Sequence, residues 1–154
     1  MIRFRPIVCC FSLSVLMGCV DLDNQLFKST QLSSYQLSSA VIPDSSRELV
    51  TMTSQGKKIY GVFVRSNGAH GDITVLYCHG NKDHLQYYWD RVELIYRMGF
   101  NVFIFDYQGY GMSEGTTSES GLYSDGRAAL AYIRSRPDVI APNVVYYGFS
   151  LGNV

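Results

Sequence analysis

The chain has 154 residues, a length typical of a single domain. Its 13 basic and 13 acidic side chains give a formal net charge of zero, and no basic patch supports binding to nucleic acid. Hydrophobic residues make up 47% and aromatic residues 14%, which indicates a globular domain with a sizeable core and excludes a disordered chain.

Residues 1–18 have the layout of a secretory signal. Arg3 and Arg5 form a basic start without any acidic residue, and a short apolar run over residues 7–17 follows. A membrane-spanning helix needs about 20 apolar residues, so this run indicates a signal peptide and not a spanning helix. The run ends with the sequence Leu16-Met17-Gly18-Cys19.

This ending resembles the lipobox of bacterial lipoproteins, in which cleavage precedes the cysteine and the new terminal cysteine is acylated. The resemblance implies that Cys19 carries lipid and anchors the protein in the bacterial cell envelope. Because Val20 and not aspartate follows the cysteine, the outer membrane is slightly favoured over the inner membrane. An ordinary signal peptide, or an uncleaved anchor, is the alternative interpretation.

Residues 19–47 predict a flexible tether between this anchor and a domain over residues 48–154. The stretch is polar, contains seven serines and shows little periodicity, a composition typical of linkers. Such a tether would hold the folded domain away from the membrane surface.

The domain contains five runs that predict β-strands. The first two, residues 48–53 and 58–65, are joined by a short turn with Gly56 and predict a hairpin. Three later runs are apolar and aromatic, as in strands buried on both faces of a sheet. These three runs are residues 73–78, 101–105 and 144–147.

Two stretches of helical period lie between the last three strands. The first begins near Asp83 and stops at Gly99, and the second is capped by Ser118 and ends before Pro137. Strand, helix, strand, helix, strand at these spacings indicates an α/β fold, with a mostly parallel sheet and crossover helices.

The four cysteines predict no metal site. Three lie within the first nineteen residues, and none forms a CxxC pair or a cluster with histidine. Cys78, the one ordinary thiol after the leader, ends an apolar run and is therefore interpreted as a buried, inert cysteine. We expect neither a metal nor a cofactor.

Residues 148–152 read Gly-Phe-Ser-Leu-Gly and fit the G-x-S-x-G pattern of a nucleophile elbow. A predicted strand comes directly before them, which is the context that gives the pattern its chemical meaning. The glycines two residues before and after Ser150 leave out side chains that would collide with backbone in so sharp a turn. Ser150 is therefore the predicted catalytic nucleophile.

Three segments together resemble an α/β-hydrolase: residues 78–81, 106–115 and 148–152. The stretch GFNVFIFDYQGYGMSEG, residues 99–115, is especially similar to the membrane-associated branch of that superfamily that includes protein depalmitoylases. The match begins near residue 48 and implies the N-terminal half of the α/β-hydrolase fold.

The resemblance also implies roles for individual residues. The oxyanion hole of this fold uses the backbone N–H after the nucleophile and another from the loop after the third strand, which correspond to Leu151 and Asn81. His79 would support that loop and not act as the base. Asp106 resembles a structural aspartate of its turn.

These observations predict a serine hydrolase that acts on small-molecule esters or thioesters and is held at a membrane by its lipid anchor. The acid and the histidine follow the nucleophile in this fold, and no residue follows Val154. We therefore expect an N-terminal fragment with little turnover of its own. A catalytically inactive lipoprotein remnant, or a binding module on a hydrolase scaffold, is the alternative, and peptidase activity in place of esterase activity also stays open.

Overall fold

The computed structural model describes residues 26–153. The predicted signal peptide and the predicted lipid site at Cys19 lie outside the described residues. Within the described part, no helix has the length and apolar character that a membrane crossing requires.

Five strands form one sheet in the order β1-β2-β4-β3-β5. β1 and β2 form an antiparallel hairpin, β2 pairs antiparallel with β4, and β3 pairs in parallel with both β4 and β5. The strands are β1 (Arg47–Ser54), β2 (Lys57–Val64), β3 (His70–Cys78), β4 (Phe100–Phe105) and β5 (Val144–Gly148). The predicted hairpin and the three predicted parallel strands are confirmed, and with them the α/β fold class.

Two helices connect the parallel strands, as the sequence predicted. α1 spans Trp89–Arg97 after a 3-10 turn over Leu85–Tyr88, and α2 spans Glu119–Ser135. The Ser118 hydroxyl accepts the Gly121 N–H at 3.1 Å and caps α2. Gly99 follows α1 with a φ of +91°, a conformation that glycine adopts without steric cost. Further 3-10 turns cover Asp44–Ser46, Ala141–Asn143 and Ser150–Asn153.

Successive side chains of the strands point to opposite faces of the sheet and form two hydrophobic clusters, one on each face. On one face, Phe103 and Phe105 pack with residues of α2 such as Ile133. On the other face, Val102 and Ile104 pack with residues of α1. The inner strands β2, β3 and β4 are therefore covered on both faces, which explains why they lack a polar face in the sequence.

The structure differs from the predicted flexible tether over residues 26–46, which pack on the domain. Ile42 is fully buried in the cluster around α1, and Tyr35, Leu37 and Val41 pack against the same cluster. The Trp89 indole N–H also donates to the Ser38 carbonyl at 3.2 Å. A few apolar side chains in a serine-rich segment are thus enough to hold it on the domain surface.

β5 is one of the two edge strands of the described sheet, and its side chains are unusually exposed for an apolar strand. Val145 and Tyr146 are 50% and 54% exposed. They border an apolar cleft of about 480 Å³ between β5 and α1, whose other walls include Leu94 and Met98. Leu94 of α1 and Met98, which directly follows the helix, are 59% and 57% exposed.

Candidate functional site

Ser150 stands in a strained and exposed turn directly after β5. Its φ is +52°, in the left-handed region that non-glycine residues avoid. Residues held in such a conformation cluster at active sites, where the surrounding structure maintains them. Ser150 is exposed, and among residues 26–153 its hydroxyl makes no hydrogen bond to a histidine. The turn has the shape expected of a nucleophile elbow.

Both glycines of the elbow are required by close backbone contacts. A Cβ atom on Gly148 would lie 2.4 Å from the Gly152 carbonyl oxygen, and one on Gly152 would lie 2.0 Å from the Cys78 carbonyl oxygen. Real Cβ atoms do not approach other atoms this closely, so a side chain at either position would displace the turn. The steric role predicted for these glycines therefore agrees with the geometry.

The Asn153 side chain bridges the two sides of the elbow by hydrogen bonds to the backbone of Gly148 and Ser150. In the amide orientation that pairs donors with acceptors, its Nδ2 donates to the Gly148 carbonyl at 3.0 Å and its Oδ1 accepts the Ser150 N–H at 3.2 Å. Asparagine at this position thus fits the turn.

The loop after β3, residues 79–83, lies directly against the elbow. β3 and β5 are parallel neighbours, so their carboxyl ends meet at one edge of the sheet, where Cys78 pairs with Gly148. The Phe149 N–H donates to the Cys78 carbonyl at 3.0 Å. A Cβ on Gly80 would lie 3.0 Å from the Phe149 ring. The fold therefore brings the predicted oxyanion loop and the predicted nucleophile together.

Asn81 uses almost all its polar groups to fix this loop. Its Oδ1 accepts the Lys28 N–H at 3.0 Å and the Tyr110 hydroxyl at 2.8 Å, and its Nδ2 donates to the Leu26 carbonyl at 2.7 Å. The Asn81 carbonyl also accepts from Tyr110, at 3.2 Å. The backbone N–H of Asn81 has no acceptor among residues 26–153. The oxyanion role of Asn81 and Leu151 stays a prediction.

His79 is a supporting residue in this structure. Its side chain is fully buried, Nδ1 lies 2.8 Å from the Gly80 carbonyl oxygen, and Nε2 lies 3.0 Å from Oδ1 of Asp106. Nδ1 makes a hydrogen bond, whereas Nε2 has no hydrogen-bond partner among the described residues despite its short distance to Asp106. The Nδ1 contact orients the ring beneath the loop. This placement agrees with the structural role predicted for His79, and it removes the ring from the solvent-facing side of the elbow.

Asp106 is a fully buried carboxylate that joins several segments. Its Oδ1 accepts the Leu85 N–H at 2.6 Å, and its Oδ2 accepts the Tyr35 hydroxyl at 2.5 Å. A Cβ on Gly111 would lie 1.8 Å from Oδ2, so only glycine fits beside the carboxylate. The contacts agree with the structural role that the sequence implied.

Several ionisable side chains near the site have raised pKa values, among them Tyr35 and Cys78. Burial, with the Asp106 carboxylate as a second cause, raises the pKa of Tyr35 well above its ordinary value of 10.0. Burial also raises the pKa of the Cys78 thiol to about 11. Cys78 is half-buried, and its thiol stays protonated at neutral pH, in agreement with an inert cysteine.

Sequence reasoning missed the contribution of residues 26–35 to this site. Lys28 contacts Asn81 and Tyr35 contacts Asp106, and each pair is separated by more than 50 residues of chain. No local sequence pattern predicts such contacts. No group of three or more histidine, cysteine, aspartate or glutamate side chains that could hold a metal ion occurs between residues 26 and 153.

Several known proteins are similar to this chain. The uncharacterized protein YfhR of Escherichia coli (strain K12) is 36% identical over 111 residues, which are 70% of this chain and 39% of YfhR. Human alpha/beta hydrolase domain-containing protein 17B is 39% identical over 106 residues, which are 68% of this chain and 36% of that protein. The chain thus spans about two fifths of the length of these curated relatives.

The fold also matches a solved enzyme structure. The Pyrococcus furiosus esterase Pf2001 superposes with a TM-score of 0.66 at 20% sequence identity, over 83% of this chain and 48% of the esterase. Residues 69–154, more than half of the chain, match the profile of the Hydrolase_4 family, described as serine aminopeptidase, S33. The chain has an α/β-hydrolase fold and belongs to the Hydrolase_4 family.

Proposed function

We propose that the chain is the N-terminal part of a serine hydrolase that cleaves esters or thioesters with Ser150 as its nucleophile. The observation that carries this proposal is the elbow itself. An exposed serine with a φ of +52° stands between two glycines that no other residue could replace without displacing the turn. A serine in an ordinary strand-to-helix connection would need neither feature.

The reaction that fits the site is acyl transfer to Ser150. The Oγ atom attacks the acyl carbon, the carbonyl electron pair moves to the oxygen, and the Oγ proton passes to a base. Backbone N–H groups of Asn81 and Leu151 would stabilise the oxyanion, at about 3 kcal/mol for each donor. The base returns its proton to the leaving alcohol or thiol, and water then releases the acid.

We place the base and its acid in residues beyond Val154. Three arguments support this placement. The chain spans about two fifths of its relatives, and the triad acid and histidine follow the serine in this fold. The exposed apolar cleft beside β5 is also the kind of surface that further chain would cover.

The proposed substrate class comes from two resemblances in the sequence. Residues 99–115 are similar to the branch that includes protein depalmitoylases, which favours fatty acyl thioesters. The lipobox-like sequence before Cys19 favours attachment to a membrane of the bacterial envelope, where such substrates are found. Anchor and substrate class are proposed together because a lipid-bound enzyme meets acylated substrates at the bilayer surface.

A second candidate is cleavage of amide bonds, since the matching family is described as serine aminopeptidase, S33. Attack by Ser150 and stabilisation of the oxyanion would be the same for an amide. Only the leaving group would differ, because the amine must receive a proton as it departs. A comparison of p-nitroanilide with acyl thioester substrates separates the two candidates.

The proposal is tested by isolating the native protein from the membrane fraction and measuring its intact mass. We expect a mass well above that of residues 19–154 with acyl chains. The purified protein should hydrolyse an acyl thioester, Ser150→Ala should abolish the turnover, and the matched variant Ser45→Ala, at an exposed turn serine, should retain it. A mass equal to residues 19–154 plus lipid, without turnover, would support the inactive lipoprotein instead.

A further inference from the structure

Residues 26–35 form a mostly irregular segment, here called the N-terminal strap, that crosses the edge of the sheet where the predicted site lies. Two isolated parallel β-bridges hold the strap, one between Lys28 and Lys82 and one between Gln31 and Gly111. The first bridge lies on the predicted oxyanion loop and the second on the turn after β4. The strap therefore joins the predicted oxyanion loop, which lies against the elbow, to the turn after β4.

The contact between the strap and the oxyanion loop is made by backbone groups and by the side chains of Asn81, Thr30 and Asp83. Lys28 donates its N–H to Oδ1 of Asn81, whose Nδ2 donates to the Leu26 carbonyl. The Asp83 N–H donates to the Lys28 carbonyl at 3.1 Å. The Thr30 hydroxyl donates to Oδ1 of Asp83 at 2.9 Å. Four hydrogen bonds thus hold two residues of the loop to three residues of the strap.

The other end of the strap is fixed to buried groups. The Gly111 N–H donates to the Thr30 carbonyl at 2.8 Å, and the Leu32 N–H donates to the Gly111 carbonyl at 2.7 Å. Tyr35 then donates to the fully buried Asp106 carboxylate at 2.5 Å. Hydrogen bonds to buried charged groups are among the stronger ones in proteins, so this end anchors the strap.

These contacts leave one group of Asn81 unused. The side-chain oxygen, the side-chain nitrogen and the carbonyl oxygen are all hydrogen-bonded, while the backbone N–H has no acceptor among residues 26–153. That N–H is the predicted oxyanion donor. A donor must be held in place before the reaction to stabilise the transition state, because reorienting the donor during the reaction would cost free energy and offset the stabilisation.

We propose that the strap is a positioning element of the hydrolase site, which holds the Asn81 N–H in the orientation needed to stabilise the oxyanion. The inference rests on the proposed function. Lys28 acts through its backbone N–H on the Asn81 side chain and is a positioning residue. A misplacement of about 1 Å in a catalytic group can reduce the rate about a hundredfold.

The test compares Lys28→Pro with Lys28→Ala in the full-length protein. Proline removes the backbone N–H that Asn81 accepts, whereas alanine keeps it and removes only an exposed side chain. We expect kcat with an acyl thioester to fall about tenfold to a hundredfold in Lys28→Pro, with KM changed less than about twofold. Lys28→Ala should match the wild type.

A second measurement separates positioning from folding and does not need turnover. Hydrogen exchange at the Asp83 amide, whose acceptor is the Lys28 carbonyl, should become faster in Lys28→Pro than in Lys28→Ala while the thermal midpoints stay equal. If Lys28→Pro lowers the midpoint strongly, Thr30→Val takes its place. That variant removes the bond to Asp83 and should also lower kcat and speed exchange at this amide.

The outcomes are distinct. A kcat for Lys28→Pro within twofold of Lys28→Ala overturns the positioning role, as does unchanged exchange at Asp83. If Ser150→Ala leaves hydrolysis intact, the proposed function fails, whereas the exchange comparison still decides whether the strap fixes the loop. Loss of kcat together with faster exchange, at an unchanged thermal midpoint, supports the proposal.

Discussion

Tyr35→Phe tests how strongly the strap is anchored to the domain. The substitution removes one hydroxyl and keeps the ring that packs against the cluster around α1. In the wild type the hydroxyl donates to Asp106 at 2.5 Å and accepts the Met112 N–H at 3.3 Å. In the variant, Oδ2 of the buried carboxylate loses this donor, while Oδ1 keeps the Leu85 N–H.

The expected loss of stability follows from the charge on the acceptor. A hydrogen bond to a charged group contributes about 1.5–3 kcal/mol, so we expect Tyr35→Phe to lower the free energy of unfolding by about 2 kcal/mol at pH 8. At about 4 °C of Tm per kcal/mol for a domain of this size, the midpoint should fall by about 8 °C. Tyr123→Phe, which removes an exposed hydroxyl near Glu119, should cost less than about 0.5 kcal/mol.

The stability contributed by the Tyr35 hydroxyl should decrease at high pH. The pKa of Tyr35 is raised above 10.0 in the folded protein, so its contribution to stability is fully present below pH 10. It is lost as the pH rises further, because the unfolded chain releases the proton more easily. At pH 11 the difference between wild type and Tyr35→Phe should be about 1.4 kcal/mol smaller than at pH 8.

Urea unfolding at pH 8 and pH 11, followed by circular dichroism, measures both effects. The other tyrosines titrate in both proteins and cancel in the difference. A loss below about 0.5 kcal/mol at pH 8, or a difference that grows with pH, would refute the assigned hydrogen bond and with it the anchoring of the strap at Asp106.

Two further predictions concern the elbow and the thiol. Gly152→Ala would place a Cβ 2.0 Å from the Cys78 carbonyl oxygen, so in urea unfolding it should destabilise the protein by about 1–3 kcal/mol. Gly126 lies within α2, and a Cβ there would meet no other atom, so Gly126→Ala should stabilise the protein by about 0.5–1 kcal/mol. Equal effects of the two substitutions would contradict the contact at Gly152. Burial raises the pKa of Cys78 from 9.0 to about 11, so alkylation of this thiol by iodoacetamide at pH 8 should be about a hundredfold slower than that of an exposed cysteine. Peptide mass spectrometry measures the rate, and a rate comparable to that of an exposed cysteine would contradict the burial of the thiol.

The elements of the domain could be predicted because their signals are local. The apolar run before Cys78, the Ser118 cap and the stop at Gly99 each depend on residues that are close in sequence. Even the steric need for Gly152 follows from the motif, although its contact partner, the Cys78 carbonyl, is distant in the chain. In such cases the backbone conformation selects the residue, and the residue therefore reveals the conformation.

The strap could not be predicted, since nothing in its composition separates it from a linker. Its contacts with Asn81 and Asp83 use the main chain of Lys28, which every sequence possesses, and the hydroxyl of Thr30, and they form across 53 residues. Tyr35 is one aromatic residue in a serine-rich stretch, and its contribution to stability depends on a hydrogen bond to a buried carboxylate 71 residues later in the chain. Composition measures how much apolar surface a segment can bury, and it does not register a single strong polar contact.

The two ends of the strap contribute to different properties of the protein. At Tyr35 the partner is a buried charge, and Asp106 also receives the Leu85 N–H and faces His79, so this end fixes the fold beneath the loop. At Lys28 the partner is the side chain of a half-exposed residue, so loss of that bond costs little stability but releases the loop. A strap built in this way can remain bound to the domain through Tyr35 while Lys28 determines the orientation of Asn81. Stability and catalysis should therefore respond to different residues of one ten-residue segment.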